Sequence, residues 1–254
     1  MTAPRFLMAA VCIPLMGMLP TGDSHAEALP RIAIIIDDLG YQLEAGRRAI
    51  DLPGPVAYAV LPGTPNGKRL ARIAHDKGKE VLLHLPLEPV GHHGPAEPGA
   101  LMLDTSRATF EVTFAAAIAT VPFAVGVSSH RGSLLTRHPG HMGWLMEEIR
   151  RREDLFFIDS YTTHESIALR IAAETGVTAT KRDVFLDHER SAEAVTAEFE
   201  RLKAMARERG TAVGIGHPFP ETLEVLEREL PKLREQGFEL VTISKLIAMQ
   251  LNRI

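Results

Sequence analysis

Short apolar runs alternate with longer amphipathic segments from Arg31 onward, and this alternation restricts the fold more than any other feature. The short runs have strand propensity and stop at polar residues, whereas the longer segments repeat apolar residues at helical spacing. Strands separated by helices favour parallel pairing in a sheet whose outer face the helices cover. We therefore predict an α/β fold, a (β/α) barrel with seven or eight mostly parallel strands. An open doubly wound sheet is the alternative.

No Gly/Ser/Pro linker divides the alternation, so we predict one domain over residues 27–254. The loop over 91–99 has turn composition and is expected to form a lid or rim. The predicted strands are Ile32–Ile36, Val56–Leu61, Glu80–Leu83, Ala124–Val127, Leu155–Ile158, Val184–Leu186, Ala212–Ile215 and Glu239–Thr242. The predicted helices are Asn66–Lys77, Arg107–Thr120, His141–Arg151, His164–Glu174, Ala192–Arg209, Pro220–Gln236 and Ser244–Asn252, the last of which should cover the barrel through Leu246, Ile247 and Leu251.

The N-terminal residues have the layout of a secretory signal, with Arg5 ahead of an apolar run over 6–19 and a small-residue site at Ala26. The run is shorter than the roughly 20 residues that a membrane-crossing helix needs. We expect residues 1–26 to be a cleaved signal peptide, which makes the mature protein periplasmic or secreted, without an integral membrane segment. A retained anchor is the alternative.

The composition excludes two classes of function. The only cysteine, Cys12, lies within the predicted signal, so the mature chain has neither a thiol nucleophile nor a disulfide framework. The formal net charge is −4 at pH 7, whereas binding to nucleic acid calls for a basic surface. We therefore expect no nucleic-acid partner.

Several predicted strands run directly from aliphatic residues into polar or ionisable ones. In a parallel (β/α) barrel such strand ends converge on one rim, where barrel enzymes place their active sites. One acidic residue at a strand end is commonly a turn former or helix cap, but five polar ends with three histidines favour a functional site. The ends are Asp37-Asp38, His84, Ser128-Ser129-His130, Asp159-Ser160 and Gly216-His217.

Adjacent carboxylates at the end of an apolar strand need a compensating charge, and a divalent cation supplies one. Three nitrogen or carboxylate ligands with an open fourth position are typical of catalytic zinc. Asp38, His84 and His130 can provide such a set, with zinc the favoured metal. Alternatively, the two histidines are core residues hydrogen-bonded to their neighbours. His92 and His93 are interpreted as a solvated loop pair.

Six ordered motifs cover Arg31 to about Lys245. They are IIIDDLG, HLPLEP, GVSSHRGS, FIDSYTT, RDVFLD and GIGHPFPETL. This series resembles the divergent polysaccharide deacetylase family, a branch of the carbohydrate deacetylases with the NodB-like barrel.

The resemblance implies a role for individual residues. Asp37 would be the general base, Asp38 a metal ligand and His217 the general acid, while Asp159 would hold His217 or a substrate hydroxyl. The wider group takes two histidine ligands from one His-x-x-x-His segment, but here the second position is Glu88. We expect His130 to replace the missing imidazole, with Glu88 as a substitute ligand or a partner that orients His84. This chain also departs from the pattern of the branch at two places. Ser128-Ser129 stand where the branch often has Asn-Asn, and Tyr161 stands where it often has Arg.

The favoured function is a metal-dependent hydrolase that removes acyl groups from a carbohydrate such as a cell-wall glycan. The alternative is a catalytically inactive periplasmic module that binds a glycan or a protein on the same barrel. A metal-free glycosidase using Asp37 and Glu88 would leave three strand-end histidines unexplained. A serine hydrolase is disfavoured because no Gly-x-Ser-x-Gly elbow occurs.

Overall fold

Strands and helices alternate along residues 29–91, 94–152 and 154–251, which are the residues that the computed structural model describes. The predicted signal segment, His92, His93 and Asn252 lie outside these ranges. The strands are β1 (Arg31–Leu39), β2 (Ala57–Val60), β3 (Val81–Leu87), β4 (Ala124–Arg131), β5 (Phe156–Asp159), β6 (Ala179–Lys181), β7 (Val184–Phe185), β8 (Thr211–Gly216) and β9 (Glu239–Leu240). The helices are α1 (Leu43–Ile50), α2 (Gly67–Asp76), α3 (Arg107–Thr120), α4 (Pro139–Arg150), α5 (Ala168–Thr175), α6 (Ala192–Arg209), α7 (Pro220–Glu229) and α8 (Ile243–Leu251).

The strands form one curled parallel sheet in the order β6-β5-β4-β3-β2-β1-β8-β7. β9 pairs with the first residues of β1, beside β2. Within the described ranges β6 and β7 do not pair with each other, so the barrel is open between them. The predicted fold class is thus confirmed. No helix of the described part of the chain has the length and apolar character needed to cross a bilayer.

Most strands that carry polar ends are longer than predicted, namely β1, β3, β4 and β8. β1 continues through Asp37 and Asp38 to Leu39, and β4 continues from Val127 to Arg131. β3 and β4 stay in register as far as Leu87 and Arg131, and β1 pairs again with β2 at Leu39 after an irregularity at its two aspartates. Asp37, Asp38, His84 and His130 therefore lie on the strands themselves, whereas Ser160 and His217 come directly after β5 and β8.

Backbone chemistry explains the differences at other element ends. The predicted helix Pro220–Gln236 ends at Glu229 and continues as a 3₁₀ turn over 230–232, because Pro231 lacks an N–H and disfavours an α-helix before it. Two short elements, β6 and α1, were missed. α1 has only eight residues with Gly46 among them, which weakens its helical signal.

Alternation along the strands separates two apolar cores. On β1, Ile34 and Ile36 pack with the outer core between sheet and helices, whereas Ala33 and Ile35 belong to the core inside the curled sheet. Asp37 is the next residue with the inward parity. The same inward core also contains residues from β2, β3, β5, β8 and α8, listed here: Ala57, Ala59, Leu82, Phe156, Ile158, Val213, Ile215, Ile243, Leu246 and Ile247.

Candidate metal centre

Three strands bring their inward side chains to one point at the carboxyl end of the sheet. His84 follows the inward Leu82 on β3, and His130 comes from the paired end of β4. Asp38 would point the other way in a regular strand, but its φ of +60° and a register irregularity between Ile36 and Leu39 turn it toward the same point. Backbone strain of this kind is concentrated at functional sites.

The three predicted ligands lie together. One ligand atom each from Asp38, His84 and His130 can be chosen so that all are within 4.8 Å of one another. Asp38 Oδ1 is 2.9 Å from His130 Nδ1 and 3.2 Å from His84 Nε2, and the two ring nitrogens are 3.1 Å apart. The structure thus brings together the ligand set that the sequence predicted, which we call the ligand cluster.

The chemistry of this cluster fits a cation. Among the described residues, three buried side-chain polar atoms lack a hydrogen bond of regular geometry. Two of them are Asp37 Oδ1 and Asp38 Oδ1, the latter despite its closeness to the nitrogens of His84 and His130. Buried carboxylate oxygens without a hydrogen bond are costly unless another charge satisfies them. Two imidazole nitrogens beside a carboxylate are ligands that zinc and similar divalent metals prefer.

Each histidine of the cluster is oriented by a second contact on its other ring nitrogen. His84 Nδ1 lies 2.6 Å from Ser128 Oγ, and His130 Nε2 lies 3.2 Å from Glu97 Oε2. Such contacts fix the ring and the tautomer of a metal-binding histidine. His84 therefore presents Nε2 to the cluster, whereas His130 presents Nδ1.

The two adjacent carboxylates differ in acidity. Burial raises the pKa of Asp37, and the charges of His84 and His217 only partly oppose this effect. Burial also acts on Asp38, but the imidazoles of His130 and His84 outweigh it and hold the pKa of Asp38 well below its ordinary value. Burial opposes the charged form of His84, yet Asp37 and Asp38 raise its pKa. Asp37 is thus the more basic carboxylate.

His217 lies on the opposite side of Asp38, with Nε2 3.7 Å from Asp38 Oδ2. Its Nδ1 lies 2.9 Å from Oδ1 of the buried Asp187, whose Oδ2 accepts hydrogen bonds from the His217 backbone N–H and from Thr222 Oγ1. Burial opposes protonation of His217, but the hydrogen bond and charge of Asp187 dominate and raise its pKa. Asp187 therefore fixes His217 and favours its protonated form.

The expectation that Asp159 holds His217 is wrong, because Asp187 takes that position. Asp159 accepts hydrogen bonds from the backbone N–H of Tyr161 and from Ser166 Oγ. Its neighbour Ser160 follows the end of β5, continues the inward parity of Ile158 and lines the cavity at the site. Asp159 does not contact His217, and its other predicted role, holding a substrate hydroxyl, stays a prediction.

A cavity of about 190 Å³, the first cavity, opens beside the ligand cluster. Asp37 lies in its wall, and Ser160 Oγ donates a hydrogen bond to Asp37 Oδ2 at 3.3 Å. Arg182 is held against the cavity by hydrogen bonds from its guanidinium to the carbonyl oxygens of Ser160 and Tyr161. The remaining lining residues are His84, Ser129, His130, Arg131, Thr162, Phe185, Ile215 and His217.

Glu88 does not play either role that the sequence suggested. Its carboxylate accepts a hydrogen bond from the Leu103 backbone N–H at 2.6 Å and does not line the first cavity. Ser128 orients His84 in its place. The glycosidase interpretation, which needs Asp37 and Glu88 on one cavity, loses its support.

Three contributing residues were missed by sequence reasoning. Asp187 was recognisable, because Leu186 runs into it just as the other apolar strands run into polar residues. Ser128 was noted only as a departure from the family pattern. Glu97 had no local signal, since its contact with His130 depends on the path of the loop over 91–99.

Comparisons with known proteins place the chain in a family. The model of the divergent polysaccharide deacetylase family matches residues 34–247. The uncharacterized protein YibQ of Escherichia coli is 36% identical over 198 residues, which are 78% of this chain and 61% of that protein. An uncharacterized protein of Haemophilus influenzae is 34% identical over 212 residues, 84% of this chain and 75% of that one. This chain thus spans less than two thirds of the length of the E. coli relative.

Solved structures share the fold. An uncharacterized protein of Agrobacterium tumefaciens superposes with a TM-score of 0.83 at 25% identity, over 86% of this chain and 89% of that one. The catalytic domain of a peptidoglycan N-acetylglucosamine deacetylase from Eubacterium rectale superposes with a TM-score of 0.56 at 14% identity, over 85% of this chain and 90% of that one. A CE4 family pseudoenzyme from Bacillus anthracis superposes with a TM-score of 0.54 at 15% identity, over 86% of this chain and 66% of that one. With the family match over most of its length, the chain belongs to the divergent polysaccharide deacetylase family.

Proposed function

We propose that the protein is a metal-dependent hydrolase that removes acyl groups, acetyl above all, from a cell-envelope polysaccharide or a related carbohydrate. One observation carries this proposal. A ligand cluster, a basic carboxylate and a histidine that favours its proton surround a single site at the carboxyl end of the sheet. A metal-dependent acyl hydrolase uses a metal as Lewis acid, a general base for the attacking water and a general acid for the leaving group.

Asp38, His84 and His130 would hold the metal, with zinc favoured by their nitrogen and oxygen donors. A divalent cation in this place supplies Lewis acidity toward an acyl carbonyl and increases the acidity of water.

Asp37 is suited to act as the general base. Its Oδ2 accepts a hydrogen bond from Ser160, which fixes the carboxylate, while Oδ1 has no hydrogen-bond partner and is free to take a proton from the attacking water. Burial raises the pKa of Asp37 and so strengthens it as a base.

His217 is suited to act as the general acid. Asp187 holds its Nδ1, so that Nε2 carries the proton to be donated to the departing alcohol or amine. Because Asp187 raises the pKa of His217, the imidazole keeps that proton at higher pH than an isolated histidine would.

A second candidate function is an inactive module that binds a glycan or protein. It is favoured by the fold likeness to a CE4 family pseudoenzyme. The substitutions at Ser128 and Ser129 no longer support it, because Ser128 orients His84 and Ser129 Oγ accepts a hydrogen bond from the Ser160 backbone N–H.

Hydrolysis assays separate the two functions. The purified protein is incubated with acetylated cell-wall glycans and acetyl esters, with zinc added or with a chelator, and released acetate is measured. We expect acetate release that zinc supports and the chelator abolishes. Metal binding at one equivalent without acetate release from any of these substrates would favour the inactive module.

A further inference from the structure

A second cavity of about 390 Å³ lies next to the ligand cluster. Asp38 lines it, and Asp38 is 3.7 Å from His217, which lines the first cavity. The second cavity therefore adjoins the site at which we place acyl hydrolysis. Its volume falls within the range of about 300–1,000 Å³ that is usual for small-molecule sites.

Arg190 contributes an uncompensated positive charge to this cavity. Its guanidinium carbon lies 3.6 Å from the centre of the Phe219 ring, and Phe219 stacks on His217 with ring centres 5.3 Å apart. Within the described residues no carboxylate lies within ion-pair distance of Arg190, whereas Arg48 and Arg107 each pair with glutamates. The stacking holds the guanidinium in place while leaving its N–H groups available.

Two further residues of the cavity can bind a sugar ring. Tyr41 is 55% exposed and offers an aromatic ring to the apolar face of a pyranose. Gln42 precedes α1 without using its side chain as a helix cap, so its amide is available to sugar hydroxyls. An aromatic face, an amide and a guanidinium together suit a sugar that carries an anionic group.

We propose that the second cavity binds the sugar next to the acylated one and that Arg190 pairs with a carboxylate on that sugar. The inference rests on the proposed hydrolase function and narrows its substrate to an acidic oligosaccharide or polysaccharide. A carboxylate matches the planar guanidinium of Arg190 through two parallel hydrogen bonds, and its single charge balances that of the one arginine.

Binding of unacylated ligands tests this inference. The probes are tetramers of galacturonate and of mannuronate, each compared with its fully methyl-esterified form, which has the same backbone without the charge. Dissociation constants are measured by calorimetry on the zinc-loaded wild type and on Arg190→Gln. We expect the wild type to bind at least one acid form about tenfold more tightly than its ester, and Arg190→Gln to lose this preference.

Arg234→Gln is the matched control. Arg234 is exposed and lies shortly before β9, at the amino end of the strands and thus at the opposite end from the site. This variant should keep the wild-type preference. Equal binding of acid and ester forms by the wild type, or an unchanged preference in Arg190→Gln, would overturn the inference. The probes carry no acyl group, so their binding does not depend on hydrolysis. If the protein prefers the acid forms through Arg190 but releases no acetate in the hydrolysis assays, the proposed hydrolase function is refuted while the inference about the second cavity stands.

Discussion

Asp37 and Asp38 are neighbours in the sequence, yet their surroundings give them different chemistry. Asp37 continues the inward face of β1 and is 2% exposed, so burial raises its pKa. Asp38 has a left-handed backbone conformation and turns toward His84 and His130, which outweigh its burial and lower its pKa. One carboxylate is thereby suited to accept a proton and the other to bind a cation.

Asp37→Asn should separate proton transfer from metal binding. The amide cannot act as a base, so we expect kcat to fall by about 10²–10⁴-fold. Zinc content should remain near that of the wild type, because Asp38, His84 and His130 are unchanged. Acetate release and elemental analysis on the same preparation check both parts. Wild-type turnover in this variant would refute the assignment of the base.

Asp187→Asn should change the pH dependence of the reaction. His217 acts as an acid, so activity is lost as pH rises above its pKa. Asp187 raises that pKa, and removing its charge should move the alkaline limb of the kcat/KM profile to lower pH. The carboxylate of Asp159 contacts Tyr161 and Ser166 instead, so Asp159→Asn should leave the alkaline limb where it is in the wild type. The reverse pattern would assign the orienting role to Asp159.

The sequence was sufficient to predict the residues that end apolar strands. Asp38, His84 and His130 were found because polar side chains after aliphatic runs converge in a parallel barrel. Asp159 was assigned the wrong contact because strand parity was not applied: in β5, Ile158 faces inward and Asp159 does not. Glu97 could not be predicted, since no local pattern shows where a loop side chain will lie.

At the scale of elements, α8 closes the inside of the sheet. Ile243, Leu246 and Ile247 pack in the inner core with residues of β1 and β8. The backbone N–H groups of Ile243 and Ser244 at the start of this helix bond to the Glu80 carboxylate, just before β3. The helix is therefore an internal part of the fold, and it lies at the amino end of the strands, opposite the end that carries the ligand cluster.

Leu246→Ala should lower the free energy of unfolding by about 2–5 kcal/mol, because it leaves a cavity in the inner core. Leu251→Ala on the same helix is the matched control. Leu251 is 49% exposed, contrary to the prediction that it covers the barrel, and its truncation should cost little. Urea unfolding followed by circular dichroism measures both variants. Equal losses would contradict the internal position of α8.

Element types were largely predictable and their ends were not. Apolar periodicity identified the long helices and the buried strands. It did not indicate that β4 pairs as far as Arg131 or that β1 pairs again at Leu39, because pairing depends on the neighbouring strand and not on hydrophobicity. The three residues of β6 are too few for a periodic signal.

For the whole molecule, the sheet order explains why one site forms from distant segments. β3 and β4 are neighbours, and β1 lies between β2 and β8. Because all these pairs are parallel, their carboxyl ends share one rim, and His84, His130, Asp38 and His217 meet there. The sequence predicted this convergence from topology alone.

The predicted signal peptide also concerns the whole molecule. If residues 1–26 are removed on export, the mature chain begins at Glu27. Intact mass and N-terminal sequencing of protein from the periplasmic fraction of an expressing bacterium should give that start. A full-length chain that remains in the membrane fraction would instead indicate a retained anchor.

Elemental analysis tests most directly whether Asp38, His84 and His130 hold one cation. Wild type, His130→Ala and His75→Ala are purified without a metal column, incubated with zinc and freed of excess metal. His75 is an exposed residue of α2 that stacks on Phe123 and serves as the control. We expect about one zinc per chain in the wild type and in His75→Ala, and loss of bound zinc in His130→Ala. A wild type without zinc, or a His130→Ala variant with an unchanged zinc content, would contradict the metal centre.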